Sequence, residues 1–272
     1  MNGLKVVVLT ACALGVCAAR SESATNREIA RSWTQPVCLV ESFARDSQVG
    51  AGFLSSTYSP DVIILFTAKH MLENRDSVRV TWRAVDPGGR IIPVSFSLDL
   101  MRGGMRMYLV SDTAQDCAWI PFPTETLRSR VCLGCTFSTF DTLGYVSTAD
   151  LLPGMDVIVC GFPLGFRLSQ SSPMVRKGAI VGVEPSSNTI LLDAATIGGF
   201  SGGPVLVDKT SNLGREINGS LVGLCFGYNL RRSQRQALSG SDTVSFEEEL
   251  RLSRVVPAEV LLRSVELFKK KE

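Results

Sequence analysis

Across residues 37–256 the apolar positions come in short alternating or continuous runs, set off by Gly, Pro, Asn and Ser, and no stretch in between keeps a long helical period. The clearest runs are 51–54, 62–66, 78–82, 91–94, 107–110, 155–160, 177–181 and 220–224. Many short strands at close spacing predict an all-β barrel or sandwich. The runs form two groups separated by residues 121–150, which carry little pattern, so two barrels are the natural partition. The C-terminus reads differently. Pro257 sits where a helix can begin, and residues 258–268 are good helix formers with Val260, Leu261, Val265, Leu267 and Phe268 on one side. Lys269, Lys270 and Lys271 then suit the negative end of the helix dipole. Residues 231–244 are polar and read as a mobile loop.

The chain has 272 residues, 45% of them apolar and 20% charged, enough to bury a full core in one or two domains. Its formal charge is +2, and the basic residues are scattered apart from the last few, so no nucleic-acid partner is expected. At the N-terminus a lysine precedes an apolar stretch over residues 6–19 that ends in small residues and gives way to polar sequence. That is the tripartite pattern of a secretory signal, too short for a lasting membrane anchor. Residues 1–19 are therefore expected to be a signal peptide directing export to the periplasm or the exterior. Leu9-Thr10-Ala11-Cys12 also resembles a lipobox, so lipid anchoring through Cys12 is the alternative.

With the signal removed, Cys38, Cys117, Cys132, Cys135, Cys160 and Cys225 remain. Export permits disulfides, and six thiols allow 15 complete pairings. Cys132-Leu133-Gly134-Cys135 has no second CxxC to complete a zinc site, so a local disulfide or two ordinary thiols are expected and no metal or other cofactor.

The chemistry converges on one histidine. His70 precedes Asp116 by 46 residues, and Asp116 precedes Ser201 by 85. Histidine is the usual general base for a serine nucleophile near neutral pH, and here no second imidazole competes for that part. Singly, each residue has an ordinary reading, since a lone histidine is often structural and a serine between glycines is commonly a turn. Gly199-Phe200-Ser201-Gly202-Gly203 also fits the nucleophile elbow of α/β-hydrolases, but that fold needs its histidine after the serine, and none follows Ser201. Asp112 is the nearest competitor for the acid, without the small and apolar residues that follow Asp116.

In several places at once the chain resembles the trypsin-like peptidases, and within them the bacterial HtrA-type branch. Thr67-Ala68-Lys69-His70 looks like their Thr-Ala-x-His motif, and Gly50-Ala51-Gly52-Phe53 like the strand before it. Asp116-Cys117-Ala118-Trp119-Ile120 resembles the segment carrying the acid. Asp193-Ala194-Ala195, Gly199 and Ser201-Gly202-Gly203-Pro204 resemble the HtrA nucleophile loop. Cys160-Gly161-Phe162-Pro163-Leu164-Gly165 and Val255-Val256-Pro257 are similar to two further segments of that branch. The resemblance spans residues 36–268. It implies a chymotrypsin-like fold of two six-stranded antiparallel β-barrels with a C-terminal helix. The first barrel would take residues 30–128 with His70 and Asp116, the second 129–256 with Ser201, and the helix 257–272.

It also implies a serine endopeptidase acting on polypeptides, with His70, Asp116 and Ser201 as triad and the N–H groups of Gly199 and Ser201 as oxyanion hole. Its substrate pocket would be formed by Ala195, Thr196 and Ile197 before the serine and Leu224, Cys225 and Phe226 after it. None of these is acidic, so cleavage after small or medium apolar residues is expected. Phe200 stands where animal members carry an aspartate and the bacterial branch usually an asparagine, which removes activation through a salt bridge to a new N-terminus. With 71 residues after Ser201 taken up by the second barrel and the helix, no PDZ-mediated partner is expected. The competing reading is a catalytically silent peptide-binding protein on the same fold.

Overall fold

β-Branched and aromatic runs pair antiparallel wherever one face can be buried, and in the computed structural model they do so in two groups. The structure describes residues 34–42, 47–59, 61–111, 115–129, 135–136, 139–140, 144–165, 172–208, 219–236 and 243–269. The expected signal peptide, Cys12, Asp112, Lys270 and Lys271 lie outside them. The first group comprises β1 (Val37–Ser42), β2 (Val49–Ser59), β3 (Val62–Thr67), β4 (Ser77–Val85), β5 (Ile91–Asp99), β6 (Met101–Arg102), β7 (Met105–Arg106), β8 (Leu109–Val110) and β9 (Ala118–Pro123). A one-turn helix α1 (Thr124–Arg128) follows. The second group is β10 (Asp156–Gly161), β11 (Met174–Glu184), β12 (Thr189–Asp193), β13 (Pro204–Val207), β14 (Leu221–Gln236) and β15 (Thr243–Pro257), then helix α2 (Ala258–Lys269). All of these belong to one compact unit, Gln35–Glu272.

The second group closes as the expected six-stranded barrel, in the order β10-β11-β12-β15-β14-β13. The first is a seven-stranded sheet, β5-β4-β1-β2-β3-β9-β8, whose hydrogen-bonded order has ends at β5 and at the two-residue β8. Its core is aromatic: Phe53 stacks on Phe66 at 5.2 Å and meets Phe140 edge-on at 5.3 Å, while Trp82 meets Phe96 at 4.8 Å. Aromatic pairs of this geometry add to the stabilisation from burial alone. The barrel core is aliphatic, with Val157, Val159, Ile190, Leu192, Val205 and Val255 packed together.

Two expectations need correction, the loop over residues 231–244 and the apolar side of the C-terminal helix. Residues 231–244 are not a loop throughout, because β14 runs on to Gln236 and β15 starts at Thr243. Register pairs Leu230 with Glu249, Arg231 with Glu248 and Gln236 with Thr243. β15 pairs with β12 only over Leu252 to Val255, so this stretch is a two-stranded ribbon, which lacks the apolar alternation a barrel face imposes. On α2, Val260, Leu261 and Val265 are buried, but Leu267 is 43% exposed and lies off the packed stripe. Cys38, Cys117, Cys160 and Cys225 are buried free thiols and form no disulfides. Cys135 is disulfide-bonded, and Cys132 lies outside the described residues.

Glu259, in the first turn of α2, ties the helix down. Its carboxylate accepts from Thr148 Oγ1 at 2.8 Å, from Ser147 Oγ at 3.2 Å and from the Thr148 N–H at 3.3 Å. Burial pushes this carboxyl up, but hydrogen bonds from Thr148, Ser147 and Asn188 outweigh it and hold the group below its ordinary value.

Candidate active site

His70 lies just past the end of β3. Thr67 is the last residue of the strand, and Lys69–Met71 form one 3₁₀ turn closed by the Met71 N–H to Ala68 carbonyl bond at 3.1 Å. Met71 and Leu72 are buried and pin that turn, leaving the imidazole half-exposed. Asp116 comes from the loop ahead of β9. Its Oδ2 bonds Nδ1 of His70, and its Oδ1 accepts from the His70 backbone N–H at 2.9 Å. One carboxylate therefore holds both the ring and the main chain of the histidine. With the Nδ1 proton directed at Asp116, the lone pair of a neutral ring lies on Nε2.

Gln115, which the sequence did not single out, anchors the Asp116 loop across to the second group. Its Nε2 donates to the carbonyls of Ser187 and Asn188, both at 2.9 Å, in the turn between β11 and β12. Only its glutamine type, beside a candidate acid, could have hinted at this.

Ser201 sits in the turn before β13 and is held by its backbone. The Ala51 N–H on β2 donates to the Ser201 carbonyl at 2.7 Å, and the Gly202 N–H donates to the Cys225 carbonyl at 2.6 Å. Glycine is required here. A Cβ on Gly202, whose φ is +87°, would lie 1.9 Å from the Ala51 carbonyl oxygen, and one on Gly203 would lie 1.9 Å from that of Cys160. Among the described residues the Ser201 hydroxyl makes no hydrogen bond, so His70 and Asp116 are joined while Ser201 Oγ is unengaged. Serine–histidine bonds are often long without substrate.

Phe200 is 1% exposed and packs in the barrel core beside Gly161. The residue that cannot form the animal-type salt bridge thus anchors the loop by burial, worth about 2–3 kcal/mol for a side chain of this size. Gly199 has φ +105°, and no carbonyl among the described residues accepts from its N–H or that of Ser201.

Of the residues expected to line a substrate pocket, Thr196, Leu224 and Cys225 are buried, and Ala195, Ile197 and Phe226 partly so. Thr196 Oγ1 and Ser253 Oγ are 2.6 Å apart, and Ser253 Oγ donates to the Ala194 carbonyl at 2.7 Å. Cys225 also bonds Thr196, while burial pushes its thiol up to about 12. Arg254 lies over the Phe226 ring at 5.1 Å. Ser253 and Arg254, 52 and 53 residues beyond Ser201, are brought here by the pairing of β15 with β12 and β14 and carry no local signal. Among the described residues no three His, Cys, Asp or Glu side chains converge as a metal-binding set.

A family model for the trypsin-like peptidase domain matches residues 50–214. The chain belongs to the trypsin-like peptidase family. The matched span contains His70, Asp116 and Ser201. Among solved structures the chain is similar to Deg5, with a TM-score of 0.53 and 17% identity over 89% of this chain and 92% of that one. It is also similar to a variant of the HtrA-type protease AlgW with tripeptide, with a TM-score of 0.51 and 16% identity. That match covers 87% of this chain but 61% of AlgW's, so the chain spans less than two thirds of that relative. At such identities the likeness concerns the fold, which is chymotrypsin-like. No curated protein matches the chain.

Proposed function

We propose that this member of the family cuts polypeptides through a His70–Asp116–Ser201 triad. The observation that carries the reading is the double grip of Asp116 on His70, which suits an imidazole that must present Nε2 in one orientation and tautomer. Ser201 Oγ attacks the scissile carbonyl carbon while His70 Nε2 takes its proton, and the same proton passes to the leaving amine as the C–N bond breaks. Water then adds to the acyl-enzyme by the same route in reverse, releasing the carboxylic acid and restoring Ser201. Asp116 stabilises the imidazolium in both halves, and the N–H groups of Gly199 and Ser201 receive the oxyanion. In this reading residues 30–128 carry the base and the acid, 129–256 carry the nucleophile, and the substrate lies between them.

The subsite for the residue before the cut is assigned to Ala195, Thr196, Ile197, Leu224, Cys225 and Phe226. The Thr196–Ser253 hydroxyl pair adds polarity but no negative charge, which favours small or medium apolar side chains over arginine and lysine. A peptide-library profile dominated by arginine would refute that preference. Export with removal of residues 1–19 is part of the same proposal, and mass spectrometry of the mature N-terminus tests it against retention of a lipidated Cys12.

The decisive test is labelling by a fluorophosphonate probe of the wild type beside Ser201→Ala and His70→Ala. Labelling lost in both variants is the expected result. A folded wild type that takes no label would instead mean a latent or silent site and refute the active triad.

A further inference from the structure

The turn at residues 162–165 is bonded to the loop ahead of Ser201 at two consecutive peptide groups. The Phe162 N–H donates to the Gly199 carbonyl at 2.9 Å, and the Leu164 N–H donates to the Gly198 carbonyl at 2.8 Å. A trans peptide is planar, so its C=O and N–H point in opposite directions. Fastening the Gly198 carbonyl toward Leu164 therefore turns the Gly199 N–H, which belongs to the same peptide group, away from the turn. That N–H has no carbonyl partner among the described residues. The approach is close enough to demand glycine, since a Cβ on Gly199 would lie 2.0 Å from the Phe162 carbonyl oxygen.

The turn is made from a residue that resists its conformation. The Gly165 N–H closes onto the Phe162 carbonyl at 3.0 Å, with Pro163 and Leu164 between them. Leu164 has φ 51° and ψ 25°, in the left-handed region where glycine or asparagine is ordinary. Its side chain is 70% exposed, so burial does not hold it there. The holding groups are the buried Pro163 before it, the bond to Gly198, and Gly165, which has φ +74° and faces Val49 on β2.

We propose that residues 162–165 form a latch that presets the oxyanion hole, with Leu164 as a positioning residue whose left-handed backbone fixes the orientation of the 198–199 peptide. The proposal rests on the roles assigned to Gly199 and Ser201 above. Opening the latch lets that one peptide rotate, withdrawing a donor from the oxyanion while leaving His70, Asp116 and Ser201 where they are.

The test is a backbone series at position 164. Leu164→Gly and Leu164→Asn favour positive φ, whereas Leu164→Val, being β-branched, opposes it. For each, kcat and KM on a peptide substrate are measured beside inhibition by a peptide aldehyde, whose hemiacetal oxygen occupies the oxyanion hole. Leu164→Val is expected to lose about 10- to 100-fold in kcat with KM within about twofold, and to lose aldehyde affinity by the same factor. The glycine and asparagine variants should equal or exceed the wild type. A folded Leu164→Val enzyme with unchanged kcat and aldehyde affinity overturns the proposal, as do glycine and asparagine variants as impaired as valine. A crystal structure of Leu164→Val reads the peptide directly and needs no turnover: a rotated 198–199 peptide supports the latch, and an unrotated one refutes it. Should the wild type take no fluorophosphonate label, the nucleophile assignment fails while the crystal structure still decides the latch.

Discussion

Ala51 and Ser201 are joined backbone to backbone, the N–H of one donating to the carbonyl of the other at 2.7 Å. The carbonyl of the same Ala51 accepts from Thr67 Oγ1, also at 2.7 Å. Thr67 ends β3, three residues before His70. A single residue of β2 thus links the serine loop to the strand that delivers the histidine, and the register of the first sheet bears directly on the site.

Gly202 is where this junction tolerates least. In Gly202→Ala the new Cβ meets the Ala51 carbonyl oxygen at 1.9 Å and Thr67 Oγ1 at 2.5 Å, on a backbone at φ +87°. Overpacking and left-handed strain together are expected to cost about 3 kcal/mol or more. Urea denaturation measures it, and a variant within about 1 kcal/mol of wild type would show that the junction yields.

Asp116→Asn keeps an acceptor for the His70 backbone N–H but presents the ring with an amide that no longer selects the Nδ1–H tautomer. We expect kcat to fall by about 10³- to 10⁴-fold with the thermal midpoint nearly unchanged. A loss below tenfold in steady-state assays would remove Asp116 from the triad.

Phe200→Ala should lower stability by about 3–5 kcal/mol, because a fully buried ring leaves a cavity in the barrel core. Phe200→Leu should cost less, since it retains most of the apolar volume. If chemical denaturation ranks the two equally, the loop is not anchored by that packing.

The buried thiols should be inert. Burial pushes Cys117, Cys160 and Cys225 to about 12, and raises Cys38 as well. At pH 8 a thiol of pKa about 12 is about one part in 10⁴ thiolate, so iodoacetamide should modify these four residues only after denaturation. Modification of the native protein, located by mass spectrometry, would contradict the burial assigned here.

Glu259 supplies the pH dependence. Its carboxyl is depressed in the folded state, so its contribution is present above the unfolded value near 4.5 and is lost as pH falls through the lower folded value. Glu259→Gln should therefore cost about 1 kcal/mol at neutral pH, after solvent screening, with a gap that closes progressively below that value. Denaturation midpoints that differ equally at pH 7 and pH 3 would assign the effect to shape instead of charge.

What the sequence determined by itself was the local elements and the one set of candidate residues for the chemistry. Residue type and chain order are local properties, and a single histidine followed by Asp116 and Ser201 left few arrangements to choose among. The β-branched runs and the helix after Pro257 were equally readable, because each announces its own period. The tertiary structure decided what depends on residues far apart in the chain. It closed six strands into a barrel while leaving seven as a sheet, extended β14 and β15 through a polar stretch, and buried Phe200. It also brought Gln115 to residues 187–188, Ser253 to Thr196 and Leu164 to Gly198. Each of these rests on strand register or on contacts between residues far apart in the chain, and neither is encoded in the hydrophobic period of any one segment.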